Sequence, residues 1–436
     1  MSNLKQGKDL RQQVGRKSQS EFKIQDNRPS VLDFLKSYEH NRLPDLIKIR
    51  HQRMSASPFA FYRGTANIMA YDLSFLPQTN IIVQAIGDCH LMNFGGFATP
   101  ERTLVFDAND FDETLPASWE IDVKRLATSF VLAARHNNFR APDCKEMAFL
   151  MLQSYRKHIL EFEELSMLEL WYMKFDIQSI ADRSRSLEMR QMLNAAVAKA
   201  EKESEEKIFY KITQNISGHF KIVDQPPLIY HDAEINNKDE ITNFLNYYNQ
   251  TLQPDRRWLF EQYQLVDIAQ KVVGVGSVGM RCYVAMLMNA KQEPLFLQVK
   301  EATESVLEQF SGKSRYTHSG QRVVEGQRLV QAASDIFLGW STGLGGRHYY
   351  IRQLRDRKIA PLPEQFDKEI LTAYAKLCGR MLARAHAKTG NASLLAGYMG
   401  KSELLEDVIS DFAIEYANQT EKDYSQFMKA INAGLL

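Results

Sequence analysis

The stretch "LVDIAQKVVGVGSVGMRCYVAMLM", residues 265–288, limits the possible folds more than any other part of the chain. Two apolar runs rich in β-branched residues flank a turn built on Gly274, Gly276 and Gly279, the pattern of two strands joined at a tip with a bare backbone. A third strand is expected in "EPLFLQVKEA" (293–302). After a helix in "GQRVVEGQRLVQAASD", two more strands follow in "IFLGW" and "HYYIRQL". Residues 256–360 should therefore form a small antiparallel β-rich lobe.

Elsewhere the apolar spacing is mostly helical. Residues 1–30 are polar and basic, and are expected to be a flexible arm ending at Pro29. Helices are expected in "VLDFLKSYEHNRLPDLIKIRHQRM" and "FAFYRGTANIMAYDL". The strand-like runs "IIVQAI" (81–86) and "TLVFD" (103–107) follow, together suggesting a hairpin with polar residues at both ends. From Trp119 the text is helical, and the block 140–250 stays so until the paired prolines of "IVDQPPLIYHD" (222–232). Those prolines suit a loop over a cleft, with Tyr230, His231 and Asp232 near its mouth. The expected organisation is α+β: the arm 1–30, a helical lobe 31–255, the β-rich lobe 256–360, and helices over 361–436 that pack on the helical lobe.

Charge excludes some partners. Lys+Arg (54) and Asp+Glu (53) nearly cancel, so no global field recruits nucleic acid or an anionic membrane. The cysteines Cys89, Cys144, Cys282 and Cys378 are widely spaced with no CxxC pair, which argues against a disulfide framework or zinc cluster and fits a reducing compartment. No apolar run approaches the roughly 20 residues of a membrane span, and the start lacks the apolar core of a signal peptide. A cytoplasmic location is expected, and no feature specifies an oligomeric state.

"GVGSVG" satisfies G-x-G-x-x-G, a spacing shared by dinucleotide sites and phosphate-covering loops. A dinucleotide site, and the oxidoreductase chemistry that goes with it, needs a helix to open at the glycines and an acidic residue about 20 positions on. Here a strand-like run follows, and the residue 21 positions after Gly279 is Lys300. Glycines at a hairpin tip let backbone N–H groups approach phosphate oxygens, with Ser277 beside them, and a lysine ending the next strand can reach the same phosphates. Such a lysine needs a carboxylate to hold it; Glu325 is the first choice and Glu308 the second. The plainer alternative is a tight hairpin with a surface lysine.

A second polar constellation lies far upstream. In "GDCHLMNFG" (87–95), Asn93 follows Asp88 by five positions, the spacing of a loop in which an aspartate takes a hydroxyl proton and an asparagine holds a metal. "VFDANDFDE" then supplies Asp107, Asp110, Asp112 and Glu113. So many carboxylates are costly to assemble without a cation, and magnesium suits carboxylate and amide oxygens. His90 lacks a second histidine at ligand spacing and is expected to hydrogen-bond the loop. The alternative is a solvated acidic turn.

At these residues the chain resembles the aminoglycoside-phosphotransferase branch of the protein-kinase-like superfamily. "GDCHLMNFG" is similar to its His-Gly-Asp-x-His-x-x-Asn loop, "NDFDE" to its metal-binding segment, and "PASWEIDVKRLATS" to the helix start that follows. The spacing between Asp110 and Asp122 favours Asp110 over Asp107 as the magnesium aspartate. A more extensive resemblance, from about Ser55 to Ala387, is to the bacterial family catalogued as domain of unknown function 2252. It is carried by "ASPFAFYRG", "GDCHLMNFG", "FDANDFDE", "KVVGVGSVG", "LQVKEA", "YYIRQLRDRK" and "LARAHA".

Two departures stand out: Ile86 replaces the histidine before Gly87, and the two halves of the pattern run in inverted order. The resemblance therefore implies a protein-kinase-like bilobal fold in circularly permuted order, with a hinge at Gln353 and Leu354 and the "LARAHA" helix near the helices that lead into Gly87. It further implies ATP bound with magnesium on Asn93 and Asp110, Lys300 on the phosphates, and Asp88 facing a hydroxyl of an unidentified substrate. A binding-only pseudokinase-like module and an adenylyl transferase use the same parts.

Overall fold

The computed structural model describes residues 2–184, 187–202, 205–216, 218–231, 238–272, 274–354 and 357–436; Asp232 lies outside them. Strands Tyr263–Lys271, Cys282–Asn289 and Pro294–Glu301 form the expected antiparallel unit. His348–Gln353 and Gly339–Thr342 extend it on one side and Ile229–Tyr230 on the other, giving six strands.

Side chains alternate across this sheet. Val284, Met286, Met288 and Phe296 face Phe209, Ile212 and Ile222, whereas Ala285, Leu287, Leu295 and Leu297 face Tyr248, Leu252 and Phe260. At about 1.5–3 kcal/mol per fully buried large apolar side chain, a bare face would forfeit a sum comparable with a whole domain's stability, about 5–15 kcal/mol. Both faces are covered, one by helices Lys238–Thr251 and Pro254–Phe260, the other by helix Glu205–Ile212 and the hairpin Thr213–Ile216 with His219–Ile222. These segments, grouped by the sequence reading with the helical lobe, thus pack on the sheet.

The largest core joins helices Glu120–His136, Ala141–Phe162, Lys368–Thr389 and Leu404–Asn432. Trp119 and Tyr155 stack inside it with ring centres 6.0 Å apart. Among the described residues, no helix is long and apolar enough to cross a membrane.

Two expectations are corrected. The first thirty residues are no loose arm: Asn3–Gln13 is a helix that crosses Ala392–Met399 glycine on glycine, where a Cβ on Gly7 would lie 2.1 Å from the Leu394 carbonyl oxygen. Arg11 and Arg16 then donate to the carbonyls of Tyr398 and Met399 at 2.9 and 2.8 Å. Nor do the two early strands pair with each other. Ile82–Ala85 pairs with Leu115–Ser118, and Leu104–Ala108 pairs with Phe94–Ala98. The unforeseen partners, "LPAS" and "FGGFA", carry the proline and glycines that a local reading assigns to turns.

Candidate active site

The glycine turn, Lys300, the acidic loop and the loop 87–93 converge on one cleft of about 460 Å³ between the sheet and the helices. Helices near the N-terminus clamp the turn from behind. The carbonyls of Val275 and Gly276 accept from Arg50 at 3.1 and 3.2 Å, that of Val278 from Arg42 at 2.5 Å, and that of Gly279 from the Leu43 N–H at 2.8 Å. Gly279 has a φ of +90°, which favours glycine. A Cβ on Gly274 would meet nothing within 4 Å, and one on Gly276 nothing nearer than 3.5 Å. Packing therefore demands glycine at neither position, and with Ser277 both present a bare backbone to the cleft. Such a surface suits close approach by an anion.

Lys300 is the penultimate residue of the third strand, opposite Tyr350 in register. Its side chain is only 3% exposed, and its ammonium meets the Asp112 carboxylate directly and Asp110 at 3.7 Å. Tyr350 donates to the same Asp112 at 2.9 Å, so neighbours across one strand pair converge on one carboxylate. Burial and the charge of Asp110 push the Asp112 carboxyl above the usual range. Burial also opposes ionisation of Asp110, but Lys300 and Arg352 hold its pKa down. One carboxylate of the pair is thus kept firmly ionised.

The loop 87–93 is anchored by a residue that the sequence reading used only for spacing. Asp122, fully buried, accepts from the backbone N–H groups of Ile86 and Gly87 at 2.7 and 2.9 Å. His386, from the "LARAHA" run, places Nε2 3.2 Å from that carboxylate, while Tyr155 holds its Nδ1 at 2.7 Å. A histidine thus reaches the anchor of this loop, though not from position 86. Asp88 accepts from Arg125 Nε at 2.6 Å, and burial keeps its carboxyl above the ordinary range despite that arginine. His90 lies 3.7 Å from Asp88; burial, with Arg63 and Arg125 nearby, keeps its ring neutral by lowering its pKa well below the usual value. Asn93 donates its side-chain amide to the Asp88 carbonyl at 2.6 Å.

Several expected residues lie elsewhere. Glu325 pairs with Arg328 at 2.9 Å rather than with Lys300, whose place beside a carboxylate is taken by the acidic loop. Glu308 faces Arg322 at 3.6 Å. Asp107 does not line the cleft: its strand turns it inward onto Arg384, which donates to both oxygens at 2.8 and 2.9 Å. Leu354 lines the cleft but Gln353 does not, and their N–H groups are taken by Phe296 O and Asp335 at 2.8 and 2.6 Å. Tyr230 joins the sheet edge and His231 pairs with Asp224 and Asp267 at 2.6 and 3.1 Å. No described residue of 140–250 lines the cleft, whereas Tyr38, Arg42 and Arg63 do. Arg125 and Arg63 are the parts that sequence reasoning did not assign, with "FAFYRG" the only signal for the latter; Asp112 was read as one of the carboxylates needing a cation and not as the partner of Lys300.

No group of three or more His, Cys, Asp or Glu among the described residues could hold a metal, which argues against an all-protein metal cage. Asp110 with the Asn93 amide offers instead the sparse oxygen set that magnesium accepts when waters and phosphates complete its shell. After Gly279 the chain enters the strand Cys282–Asn289, not the helix a dinucleotide site requires.

Among known proteins, the family model described as "Uncharacterized protein conserved in bacteria (DUF2252)" matches residues 42–430. No curated protein and no solved structure matches the chain. The match spans both polar loops, the glycine turn, Lys300 and the "LARAHA" helix, and the chain belongs to this bacterial family.

Proposed function

We propose that the protein is an ATP- and magnesium-dependent phosphotransferase acting on a hydroxyl group, with a protein-kinase-like site whose two halves stand in permuted order along the chain. The observation that carries this reading is convergence: Asp88 and Asn93, Asp110 and Asp112, Gly274 to Ser277, and Lys300 line one cleft although more than 200 positions separate Asp88 from Lys300. In this reading the glycine turn covers the donor phosphates, and Lys300 exchanges part of its contact with Asp112 for a phosphate oxygen. Bound magnesium would supply charge neutralisation at the phosphates, with Asp110 and Asn93 as its protein ligands. Asp88 orients the acceptor hydroxyl and takes its proton as the new O–P bond forms and the bond to the β-phosphate breaks. Its raised pKa, set by burial, suits a base.

One observation favours a binding-only module: Arg125 already holds Asp88, which weakens it as a base. ATP consumption with and without magnesium separates the two readings. The phosphotransferase reading expects consumption that Asp88→Asn abolishes while nucleotide affinity stays nearly unchanged; full activity in Asp88→Asn would refute the role given to Asp88. Mass analysis of the product distinguishes an added phosphoryl group from the adenylyl group that the same parts could transfer.

A further inference from the structure

Arg63 closes the short helix Pro58–Arg63 and lines the cleft. Its Nε is buried with no hydrogen-bond partner, and its guanidinium makes no hydrogen bond or ion pair with any described residue, resting 5.9 Å above the Phe59 ring. Three other cations of the cleft are engaged: Lys300 by Asp112, Arg42 by Val278 O, and Arg352 by Gln298 and Asn109 O at 2.9 and 3.1 Å. Asp88 is the carboxylate that most supports the charge of Arg63, yet Arg125 already satisfies Asp88. With its Nε withdrawn from water and unpartnered, the guanidinium carries a desolvation cost that an anion in the cleft would offset.

His90, 3.7 Å from Asp88, repeats the pattern. It is 4% exposed, it lines the cleft, and its buried Nδ1 has no partner. Two side chains with unpartnered, donor-capable nitrogens, one charged and one neutral, therefore share the cleft with the proposed base. Neither is needed to hold the fold together through a bond it makes. An uncharged acceptor would leave Arg63 as it stands.

Resting on the phosphotransferase reading, we infer that the acceptor carries an anionic group of its own, a phosphate or carboxylate near the reacting hydroxyl, and that Arg63 with His90 receives it. Arg63 is a specificity residue here, and the site next to Asp88 is distinct from the donor-phosphate cradle at Gly274 to Ser277 and Lys300.

Inorganic phosphate is the probe, titrated calorimetrically into the full chain without nucleotide and again with a non-hydrolysable ATP analogue and magnesium present. Wild type should bind phosphate in both states. Arg63→Gln, which keeps much of the stem over Phe59, should weaken binding about tenfold or more, with Arg63→Lys recovering part of it. Lys300→Met should leave it within about twofold. Circular dichroism checks that each variant is folded, and His90→Asn, expected to weaken phosphate severalfold, gives a second reading if Arg63→Gln fails to fold. No phosphate binding by wild type, equal binding by Arg63→Gln, or loss in Lys300→Met alone would overturn the assignment. So would competition between phosphate and the analogue, which would make Arg63 a ligand of the transferred group. Failure of the analogue to bind would instead remove the nucleotide reading, and the phosphate titration without nucleotide would still test Arg63.

Discussion

Replacing Lys300 with methionine keeps the length and apolar stem of the side chain but deletes the charge between Asp110 and Asp112. In the wild-type fold the ammonium is almost fully buried, and it lies against Asp112 and 3.7 Å from Asp110. Removing one partner from a fully buried ion pair costs about 3–5 kcal/mol. The two carboxylates are 36% and 28% exposed at their side chains, so water offsets part of the loss and about 1–3 kcal/mol is expected at neutral pH. The sign with pH is fixed. Without Lys300 the carboxylates repel each other and their folded-state pKa values rise above the unfolded ones, so the folded variant binds more protons and regains stability as pH falls from neutral toward 4. Magnesium should also restore part of the loss, because the variant has two carboxylates and no competing ammonium. Urea unfolding of both proteins at neutral and mildly acidic pH, with and without magnesium, measures all three effects. A deficit that is the same at both pH values, or that magnesium leaves unchanged, would refute this account of the cluster.

Other substitutions test the surrounding structure. Asp122→Asn leaves one of the Ile86 and Gly87 N–H groups facing an amide donor in a dry site, and should cost about 2–4 kcal/mol in denaturant unfolding; a loss below about 1 kcal/mol would mean that Asp122 does not anchor the loop. Glu325→Gln breaks only a partly exposed pair with Arg328, so stability should change by less than about 1 kcal/mol and ATP turnover should be unaffected. His318 stacks on His348 at 3.9 Å, and burial together with that neighbour lowers its pKa to about 4. The unfolded chain then binds the proton more readily, so stability should fall as pH drops from about 6.5 to about 4, by no more than about 1–2 kcal/mol for a half-buried ring. His318→Gln should flatten that limb of the profile.

What was legible in the sequence was local. The glycine turn and its flanking strands announce themselves through alternation and spacing, and the helices from Trp119 onward through their period, because both signals lie within a dozen residues. The long-range partners do not. Asp107 and Asp110 look alike on paper, but one sits in a strand that turns it onto Arg384 while the other lies in the loop that faces Lys300. Charged residues in text read as surface, so Arg125 and Arg384 gave no hint of burial. The choice of Glu325 followed chain order along a helix, whereas Lys300 is satisfied by a loop nearly 190 positions upstream. The ordered N-terminal helix depends on two glycines that meet across almost the whole chain.

The central claim is that two separated halves of the chain build one nucleotide site. The most direct measurement is a crystal structure with a non-hydrolysable ATP analogue and magnesium. The account predicts phosphates beneath Gly274 to Ser277 within hydrogen-bond reach of Lys300, and the metal on Asp110 and Asn93. An analogue bound outside this cleft, or a metal that engages neither residue, would contradict it.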